Sequence, residues 1–497
     1  MRRGLLPVAA LCAATLAGCA ADAVRQSGLE GIDHIVVIYA ENRSFDHLYG
    51  RFPGAEGIAQ ASAEQMTQLD LDGRPLPYLP ATYSGGKAVA GLPTAGLPNA
   101  PFRIDAPPIN GRFDQVLPSP WHLYYQNREQ IAGGRNNKFV ALADVGAWVM
   151  GNFDGSRMKV WKWAQEYTLA DHFFMGAFGG SFLNHQWLIC ACTPQDRDAP
   201  ATLRPTLDAQ GNLARKPGSP KSVLDGPVQL QDGRVSPDGY LVNTAQPPYQ
   251  PSGIVPAPGK LDYADPAQHP APAQNSKTIG DTLSAKSVSW VWYAGGWNEA
   301  LADGRREPTE KRAVIYARGA ESPIFQPHHQ PFNYFARFAP GTGDRAAHLQ
   351  DEQEFLAAAD RGTLPQVAFL KPAGRYTEHP AYTDLMSGDE HIDMVLTRLK
   401  NSPQWPHMAV IVTYDENGGF WDHLPPPSGP GWSDRWGPGT RIPTLVVSPY
   451  ARRGYVDKTV YDTTSILKFI TRRFDLEPLP GVRANAGDLS GAFDFRQ

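Results

Sequence analysis

Short apolar runs rich in β-branched residues recur along this chain, and helical segments separate several of them. Five runs have the length and composition of buried strands: 35–39, 287–293, 366–370, 408–413 and 444–447. An amphipathic segment, Asp389–Lys400, lies between the third and fourth runs and predicts a helix. Strands and helices that alternate in this way form a mostly parallel sheet covered by helices on both faces. The sequence therefore predicts the α/β class.

Two long segments interrupt this alternation and show no strong apolar periodicity. Residues 53–114 are rich in Ala, Gly and Pro, and residues 194–275 are richer still in proline. The 497 residues suffice for two or three average domains, but the chain has no internal repeat and no charged linker. We therefore expect one large domain over 19–497, with these Pro/Gly-rich segments as insertions that shape a substrate pocket. The alternative is that most of their residues take no part in function.

The N-terminus has the parts of a bacterial export signal. Met1-Arg2-Arg3 is a short basic region, Leu5–Leu16 is an apolar stretch too short to span a bilayer, and Leu16-Ala17-Gly18-Cys19 resembles a lipobox. We expect residues 1–18 to be removed and Cys19 to be lipidated. The protein would then be anchored by this lipid in the bacterial envelope, facing the periplasm or the exterior. A plain signal peptide cut near Ala20 is the alternative.

The net charge limits the partners that the protein can bind, and the number of cysteines limits the disulfides that it can form. The formal net charge of −4 predicts no nucleic-acid partner. Cys190 and Cys192 are the two cysteines beyond the predicted signal segment and its lipidated residue. Outside the reducing cytosol they can form a disulfide, although the ring across one intervening residue is tight. Two buried free thiols are an equal alternative, so the pairing stays open.

Side chains with hard oxygen atoms follow two of the predicted strands. Asp415 and Glu416 follow the fourth apolar run and enter a glycine turn, and Glu41 and Asn42 follow the first run. Open α/β sheets bind ligands at the carboxyl ends of their strands. Because adjacent carboxylates repel each other unless a cation lies between them, the pattern predicts a metal site. The simpler alternatives are a solvated acidic loop and a helix cap.

Ser181 follows Gly179-Gly180 and opens an apolar helical stretch that runs to about Cys190. Glycines let the backbone approach a ligand closely, and a helix N-terminus offers free N–H groups and positive partial charge to an anion. A serine that simply caps the helix is the alternative. The sequence lacks the Gly-x-Ser-x-Gly motif of lipases around this residue.

Five of the 13 histidines lie in suggestive surroundings. His122 follows Pro120-Trp121, His328 and His329 are adjacent, His379 lies between a glutamate and a proline, and His423 ends the acidic turn. Each of them alone is more often a structural or surface residue than a catalytic one. Whether they take part in catalysis depends on which residues surround them in the folded protein.

Four blocks of this sequence resemble the bacterial phosphoesterase family, which contains acid phosphatases and phosphatidylcholine-type phospholipases C. The blocks are Ile35–Gly50 with its Glu-Asn-Arg-Ser-Phe-Asp, Gly179-Gly180-Ser181 with Asn184-His185, Glu378-His379-Pro380, and Thr413–His423. They occur in the family's order, from about residue 31 to about residue 475. Family members look like alkaline phosphatase in their core sheet, so the resemblance implies an alkaline-phosphatase-like core.

The resemblance also implies a role for each candidate residue. Ser181 would be the nucleophile, and it would touch one divalent metal ion held by Glu41, Asn42, Asp415 and Glu416. Histidines would surround the phosphate, and they are His122, His328, His329, His379 and His423. A metal ion activates a serine hydroxyl, and protonated imidazoles supply positive charge and a proton to the leaving oxygen. Protonated imidazoles predict an activity optimum below neutral pH.

Three functions are compatible with these residues. The preferred hypothesis is an extracytoplasmic acid phosphatase that hydrolyses phosphomonoesters through a phosphoseryl intermediate, because the phospholipase branch usually has threonine at the position of Ser181 and often further C-terminal β domains. The alternative is a phospholipase C, whose choline site would need an aromatic cage. Candidates for that cage, which are otherwise core residues, are Trp290, Trp292, Tyr293 and Trp297. A second alternative is a lipid-anchored protein that binds phosphorylated ligands without turnover.

Overall fold

The computed structural model describes residues 28–496, so the predicted signal segment and Cys19 lie outside the described residues. Eight strands form the main sheet: β1 His34–Ala40, β2 Thr168–Phe174, β3 Trp290–Ala294, β4 Leu349–Asp351, β5 Val367–Lys371, β6 Met408–Tyr414, β7 Thr444–Val447 and β8 Tyr455–Asp462. Their order across the sheet is β4-β3-β5-β1-β6-β7-β2-β8. Neighbouring strands pair in parallel except at β7, which is antiparallel to both β6 and β2. The predicted mostly parallel α/β sheet is confirmed.

Helices on both sides cover this sheet. The α-helices within residues 28–496 are α1 Phe45–Leu48, α2 Ala63–Met66, α3 Tyr124–Ile131, α4 Lys159–Glu166, α5 Ser181–Cys190, α6 Ile279–Ala285, α7 Trp297–Gly304, α8 Gly343–His348, α9 Glu352–Arg361, α10 Leu385–Asn401 and α11 Thr463–Phe474. They pack in groups, since α5 contacts α6 and α11 while α10 contacts α4 and α9. Within the described residues, no helix combines the length and the apolar composition needed to cross a bilayer.

The centre of the sheet is formed by β1 and β6, whose apolar side chains are buried on both faces. Val36 and Val37 in β1, like Val410 and Ile411 in β6, have no exposed surface. Continuous β-branched runs suit central parallel strands, because helices cover both of their faces. The two strands end in register, with Ala40 paired to Tyr414. The polar turns that follow them therefore leave the sheet side by side.

Most predicted elements lie close to their predicted bounds, and the differences have local causes. α5 has the predicted bounds, and α10 begins earlier than predicted because the side chain of Asp384 caps it by accepting from the N–H of Ser387. β3 begins later than predicted because Ser287 has a positive φ of 56° and still belongs to the turn after α6. Three strands, β2, β4 and β8, were not predicted. Charged residues interrupt the apolar pattern of β2 and β8, and β4 has three residues.

The two Pro/Gly-rich segments pack onto the same core as the sheet. Leu79 and Ile104 from 53–114, and Val235 and Leu241 from 194–275, are buried members of the central hydrophobic cluster. Their regular structure is short: besides α2, it includes paired strands Tyr83–Ser84 with Lys87–Ala88, Phe102–Arg103 with Gly151–Asn152, and Pro256–Ala257 with Lys260–Ala264. A disulfide joins Cys190 to Cys192 at the end of α5, so the two cysteines are bridged and are not free thiols.

Candidate active site

The carboxyl edge of the sheet gathers the polar segments that follow its strands. Glu41 and Asn42 follow β1, Asp415 and Glu416 follow β6, and a short loop leads from β2 to Ser181 at the first position of α5. In parallel sheets this edge collects the ends of several strands, and ligands bind there. The structure therefore brings together the five residues predicted to hold or touch a metal ion. We call Glu41, Asn42, Ser181, Asp415 and Glu416 the Ser181 cluster.

Ser181 is held against both turns by its hydroxyl group. Its Oγ lies 3.2 Å from Asn42 Oδ1 and 3.4 Å from Glu416 Oε1, and the residue is 5 % exposed. The loop before α5 passes so close to α3 that a Cβ on Gly179 would lie 2.6 Å from the backbone N of Tyr124. Gly179 also has a φ of +90°, which other residues rarely adopt. The glycine therefore fixes the path that places Ser181 at the cluster.

Backbone N–H groups hold the acidic turn in place. Asp415 Oδ1 accepts from the N–H of Asn42 at 3.1 Å and from the N–H of Glu416 at 2.8 Å. Glu416 Oε2 accepts from the N–H of Gly418 at 2.5 Å. A Cβ at Gly418 would lie 2.3 Å from the carbonyl oxygen of Asn42, so this residue has to be glycine for the two turns to meet. The turn after β6 is thereby fastened to the turn after β1.

Unpartnered oxygen atoms indicate that a cation belongs in the Ser181 cluster. Glu41, Asp415 and Glu416 have no exposed surface. Among the described residues, nothing donates a hydrogen bond to Glu41 Oε2 or to Asp415 Oδ2. A buried carboxylate oxygen without a hydrogen-bond donor is strongly unfavourable unless the group takes up a proton or binds a cation. Since carboxylate, amide and hydroxyl oxygens are hard donors, the residues present fit a divalent metal ion.

The carboxyl groups of the cluster have shifted pKa values. Burial raises the pKa of Asp415 to about 7, against the attraction of Lys371 and with added repulsion from Glu41. Burial and the adjacent Asp415 raise the pKa of Glu416 well above its ordinary value. Burial also acts on Glu41, but the neighbouring His329 and Lys371 outweigh it and hold the pKa of Glu41 well below its ordinary value. Metal binding to Asp415 and Glu416 would therefore release protons near neutral pH.

Four of the five predicted histidines lie around the Ser181 cluster. His329 Nε2 lies 2.6 Å from Glu41 Oε1, and the ring of His328 lies next to that of His329. His122 Nε2 lies 3.6 Å from a carboxylate oxygen of Glu416. The ring centroid of His379 lies 5.8 Å from that of His122. The donor atoms of Glu41, His328 and His329 all lie within 4.8 Å of one another, a spacing that a metal ion can span.

Burial lowers the pKa of each of these four imidazoles, and it lowers that of His379 to about 3. Burial outweighs even the attraction of Glu41 for a proton on His329. In the protein alone the four rings are therefore neutral near pH 7. Protonated imidazoles would therefore need bound phosphate to raise these pKa values, and the optimum below neutral pH stays a prediction.

His423 lies in a different set of contacts from the other predicted histidines. Its Nδ1 is 2.6 Å from Asp46 Oδ2, and Arg441 binds Asp46 at 3.1 Å and Asp422 at 3.1 Å. Arg441 also reaches Asp171 at 3.2 Å. We call these five residues the Arg441 cluster. No hydrogen bond among the described residues joins His423 to the Ser181 cluster, and its contact with phosphate stays a prediction.

Two residues at the Ser181 cluster were not predicted from the sequence. Lys371 ends β5, and its Nζ lies 3.6 Å from Glu41 Oε2. His185 lies one helical turn after Ser181, with its Nδ1 3.8 Å from Asp415 Oδ2. Both left a signal: a lysine ends an otherwise apolar strand, and the spacing of four residues places His185 on the same helix face as Ser181.

A cavity of about 110 Å³ is lined by Gly180 and Phe182, the residues on either side of Ser181. Apolar and aromatic side chains form most of its wall, and the lining residues are Trp121, His122, Leu123, Gly180, Phe182, Leu183, Asn243 and Thr244. The four aromatic residues considered for a choline cage do not line this cavity. They are at most 3 % exposed and belong to the core, and they are Trp290, Trp292, Tyr293 and Trp297. The reading of these four as core residues is therefore correct.

Comparison with known sequences identifies relatives over nearly the whole chain. The model of the Phosphoesterase family matches residues 32–477. Hemolytic phospholipase C of Pseudomonas aeruginosa is 24 % identical over 95 % of this chain and 57 % of that protein. Phospholipase C A of Mycobacterium tuberculosis is 25 % identical over 94 % of this chain and 78 % of that protein. Non-hemolytic phospholipase C of Burkholderia pseudomallei is 26 % identical over 95 % of this chain and 60 % of that protein.

Two solved structures align with this chain over most of its length, but with low TM-scores. A protein of the alkaline phosphatase superfamily from Vibrio parahaemolyticus aligns with a TM-score of 0.33 and 9 % identity, over 78 % of this chain and 75 % of that chain. The PsFucS1 sulfatase from Pseudoalteromonas aligns with a TM-score of 0.31 and 13 % identity, over 67 % and 66 %. The α/β assignment rests on the sheet itself.

Proposed function

Because the chain belongs to the phosphoesterase family, we propose that it is a metal-dependent hydrolase of phosphoric esters with Ser181 as its nucleophile. One observation carries the proposal: the Ser181 hydroxyl touches Asn42 and Glu416 in a buried cluster where Glu41 Oε2 and Asp415 Oδ2 accept no hydrogen bond from the described residues. A protein that only binds phosphorylated ligands has no use for a nucleophile at this place. The arrangement therefore supports turnover rather than binding alone.

The proposed reaction has two displacements at phosphorus. A divalent ion held by the Ser181 cluster would supply positive charge to the phosphate oxygens and acidify the serine hydroxyl. Ser181 Oγ loses its proton toward Glu416, bonds to phosphorus and expels the alkoxide, which takes a proton from solvent. Water then gives a proton to a base and bonds to phosphorus, the bond between phosphorus and Oγ breaks, and Glu416 returns its proton to the serine. Asn42, which accepts from the hydroxyl, orients Oγ in the first displacement.

His122 is the best-placed base for the second displacement. Its Nδ1 lies 2.8 Å from the carbonyl oxygen of Pro120, so Nδ1 carries the proton and Nε2 keeps its lone pair. Nε2 lies 3.3 Å from Asn42 Nδ2 and therefore faces the nucleophile. Because burial lowers the pKa of His122, the ring is neutral and able to accept a proton from water.

We propose a phosphodiester of the phospholipase C type as the first substrate class, which reverses the preference for phosphomonoesters drawn from the sequence. Three relatives matched over 94 to 95 % of this chain are phospholipases C. The chain covers 57 % of the length of the first of them, so the likeness concerns the part that the two proteins share. Acid phosphatase is the second candidate, favoured by serine at position 181.

A substrate pair tests this proposal directly. We expect purified protein to hydrolyse p-nitrophenyl phosphorylcholine faster than p-nitrophenyl phosphate, to lose activity with a chelator, and to regain it with added divalent ions. The reverse order of rates would favour acid phosphatase. Hydrolysis of neither substrate with any of Mg²⁺, Ca²⁺, Mn²⁺ or Zn²⁺ would favour a binding protein and contradict the proposal.

Export and lipid anchoring are a separate proposal, based on the sequence around Cys19. We expect the protein made in a bacterial host to be found in the membrane fraction with a lipidated N-terminal peptide that begins at Cys19. Mass spectrometry of that peptide is the test. A mature N-terminus near Ala20 without lipid would contradict the anchor and leave export intact.

A further inference from the structure

Lys371 is buried in a way that the fold alone does not explain. It ends β5 beside β1, where Leu370 pairs with Ile38. The residue has no exposed surface, and among the described residues no acceptor forms a hydrogen bond with its Nζ. A lysine in such a place is unfavourable for folding unless charges nearby compensate for its lost hydration. Charged groups around Nζ therefore have to compensate for its burial.

Those groups belong to the active site. Nζ lies 3.6 Å from Glu41 Oε2, an oxygen that itself accepts no hydrogen bond from the described residues. It lies 5.8 Å from the centre of the Tyr39 ring, a distance at which a cation is attracted to the ring face. The three carboxylates of the Ser181 cluster are buried without exposed surface, and one ammonium group together with one divalent ion balances their charge.

The same carboxylate belongs to a group that has the spacing of a metal site. Glu41, His328 and His329 offer three donor atoms within 4.8 Å of one another, and all three residues are buried. A carboxylate with two imidazoles is a common zinc ligand set. The ammonium of Lys371 stands next to this group, and it would repel a metal ion bound there.

We propose that Lys371 is a built-in counter-ion: it gives the Glu41–His328–His329 group the positive charge that a second metal ion would otherwise give. The active site therefore takes one divalent ion, and Lys371 is a positioning residue that pairs with the Glu41 carboxylate and holds it in place. This inference rests on the proposed metal site at the Ser181 cluster. It adds that the site is limited to one ion by a residue of the protein.

Replacement of Lys371 by an uncharged residue of similar length tests the proposal. We expect the wild type, stripped with chelator and dialysed against Zn²⁺, to bind one ion per chain by mass spectrometry of metal content. Lys371→Met should bind two, and its melting temperature should rise more on addition of Zn²⁺ than that of the wild type. The matched control is Lys468→Met, because Lys468 is partly buried on α11 and hydrogen-bonds the carbonyls of Ala484 and Ala486. This control should bind one ion.

Further variants locate the second ion and guard against misfolding. Adding His329→Gln to Lys371→Met should return the count to one. Lys371→Gln provides a second neutral variant, and folding of both only in the presence of Zn²⁺ would support the proposal, since the metal then replaces the lost charge. One ion in every folded Lys371 variant, or no folding even with Zn²⁺, would overturn it. A wild type that binds no ion would instead reject the metal site of the proposed function.

Discussion

Two buried clusters of acidic residues and histidine lie at this edge of the sheet, and they differ in how their charges are partnered. In the Arg441 cluster, Arg441 binds Asp46, Asp171 and Asp422, and all the carboxylate oxygens of these residues have partners. In the Ser181 cluster, Asp415 Oδ2 accepts no hydrogen bond from the described residues, and Glu41 Oε2 has only the ammonium of Lys371 at 3.6 Å. Asp46, Asp422 and His423 of the Arg441 cluster have a spacing that suits a metal ion, and so does Glu41 with His328 and His329 beside the Ser181 cluster. The contrast separates the two clusters: within residues 28–496, the Ser181 cluster keeps a carboxylate oxygen that accepts no hydrogen bond, which suits the proposed metal ion, whereas the Arg441 cluster keeps none.

The comparison predicts opposite responses to substitution. Changes in the Ser181 cluster should alter catalysis and metal binding while the fold persists, because, in the described part of the chain, some of its carboxylate oxygens accept no hydrogen bond that the fold depends on. Changes in the Arg441 cluster should alter stability, because its charges already satisfy one another. Three experiments test this division, with the largest effect expected at the nucleophile, and a fourth tests a buried carboxyl group outside both clusters.

Ser181→Ala should lower kcat by at least about a thousandfold, in line with losses seen when nucleophiles are removed. It removes one hydroxyl at the start of α5, so the unfolding midpoint should change little. Steady-state rates with p-nitrophenyl phosphorylcholine and thermal unfolding measure the two effects. More than about a tenth of wild-type activity would exclude Ser181 as the nucleophile.

Arg441→Met should destabilise the protein by about 3–5 kcal/mol, because it leaves Asp46 and Asp422 buried without their cation. Urea unfolding measures the loss. The matched control is Arg435→Met: Arg435 and Asp238 form an ion pair with 46 % and 50 % of their side chains exposed, so this change should cost less than about 1 kcal/mol. Equal losses in both variants would mean that the Arg441 cluster is not the closed network described here.

Asp415→Asn should weaken metal binding by about tenfold to a hundredfold, because a neutral amide replaces a charged hard ligand. Asp422→Asn makes the same chemical change in the Arg441 cluster and should leave metal affinity unchanged. Titration calorimetry on chelator-stripped protein compares the two variants. Equal weakening in both would remove the distinction between an open and a closed cluster.

Glu378 lies outside both clusters and connects the turns that follow β1 and β6. Its Oε2 accepts from the Tyr414 hydroxyl at 2.7 Å, and its carbonyl accepts from Arg43. Burial raises the pKa of Glu378 from its ordinary 4.5 to about 8, so the folded protein holds a proton that the unfolded chain releases. The stability contributed by this group is complete below about pH 4.5 and is lost as pH rises toward 8.

Glu378→Gln cannot ionise, so its stability relative to wild type should rise between pH 5 and 8 by up to about 1.4 kcal/mol per pH unit. Urea unfolding of both proteins at several pH values gives the difference, in which other titrating groups cancel. A difference that stays constant with pH would show that Glu378 is ionised in the folded protein throughout this range.

Sequence patterns predicted the parts of the site that follow parallel strands. Glu41 and Asp415 were found because each comes directly after an apolar run, and Ser181 because it follows two glycines. Lys371 was missed because the predicted strand stopped one residue before it. The partnering of charges was beyond prediction, since it depends on which groups from distant segments meet, as Arg441 and Asp46 do across 395 residues. The neutral state of the four histidines around the Ser181 cluster was missed for the same reason, because burial in the fold lowers the pKa of each ring.

The reversed direction of β7 has a consequence for how this active edge can change. β6 ends and β7 begins at the same edge, with Thr413 paired to Thr444, so residues 415–443 form one hairpin connection with both ends at the site. This connection carries Asp415 near its start and Arg441 near its end. Closing a longer loop between fixed ends adds little entropic penalty. The proline-rich middle, 424–439, is therefore the part of this connection that can change in length while Asp415 and Arg441 stay anchored.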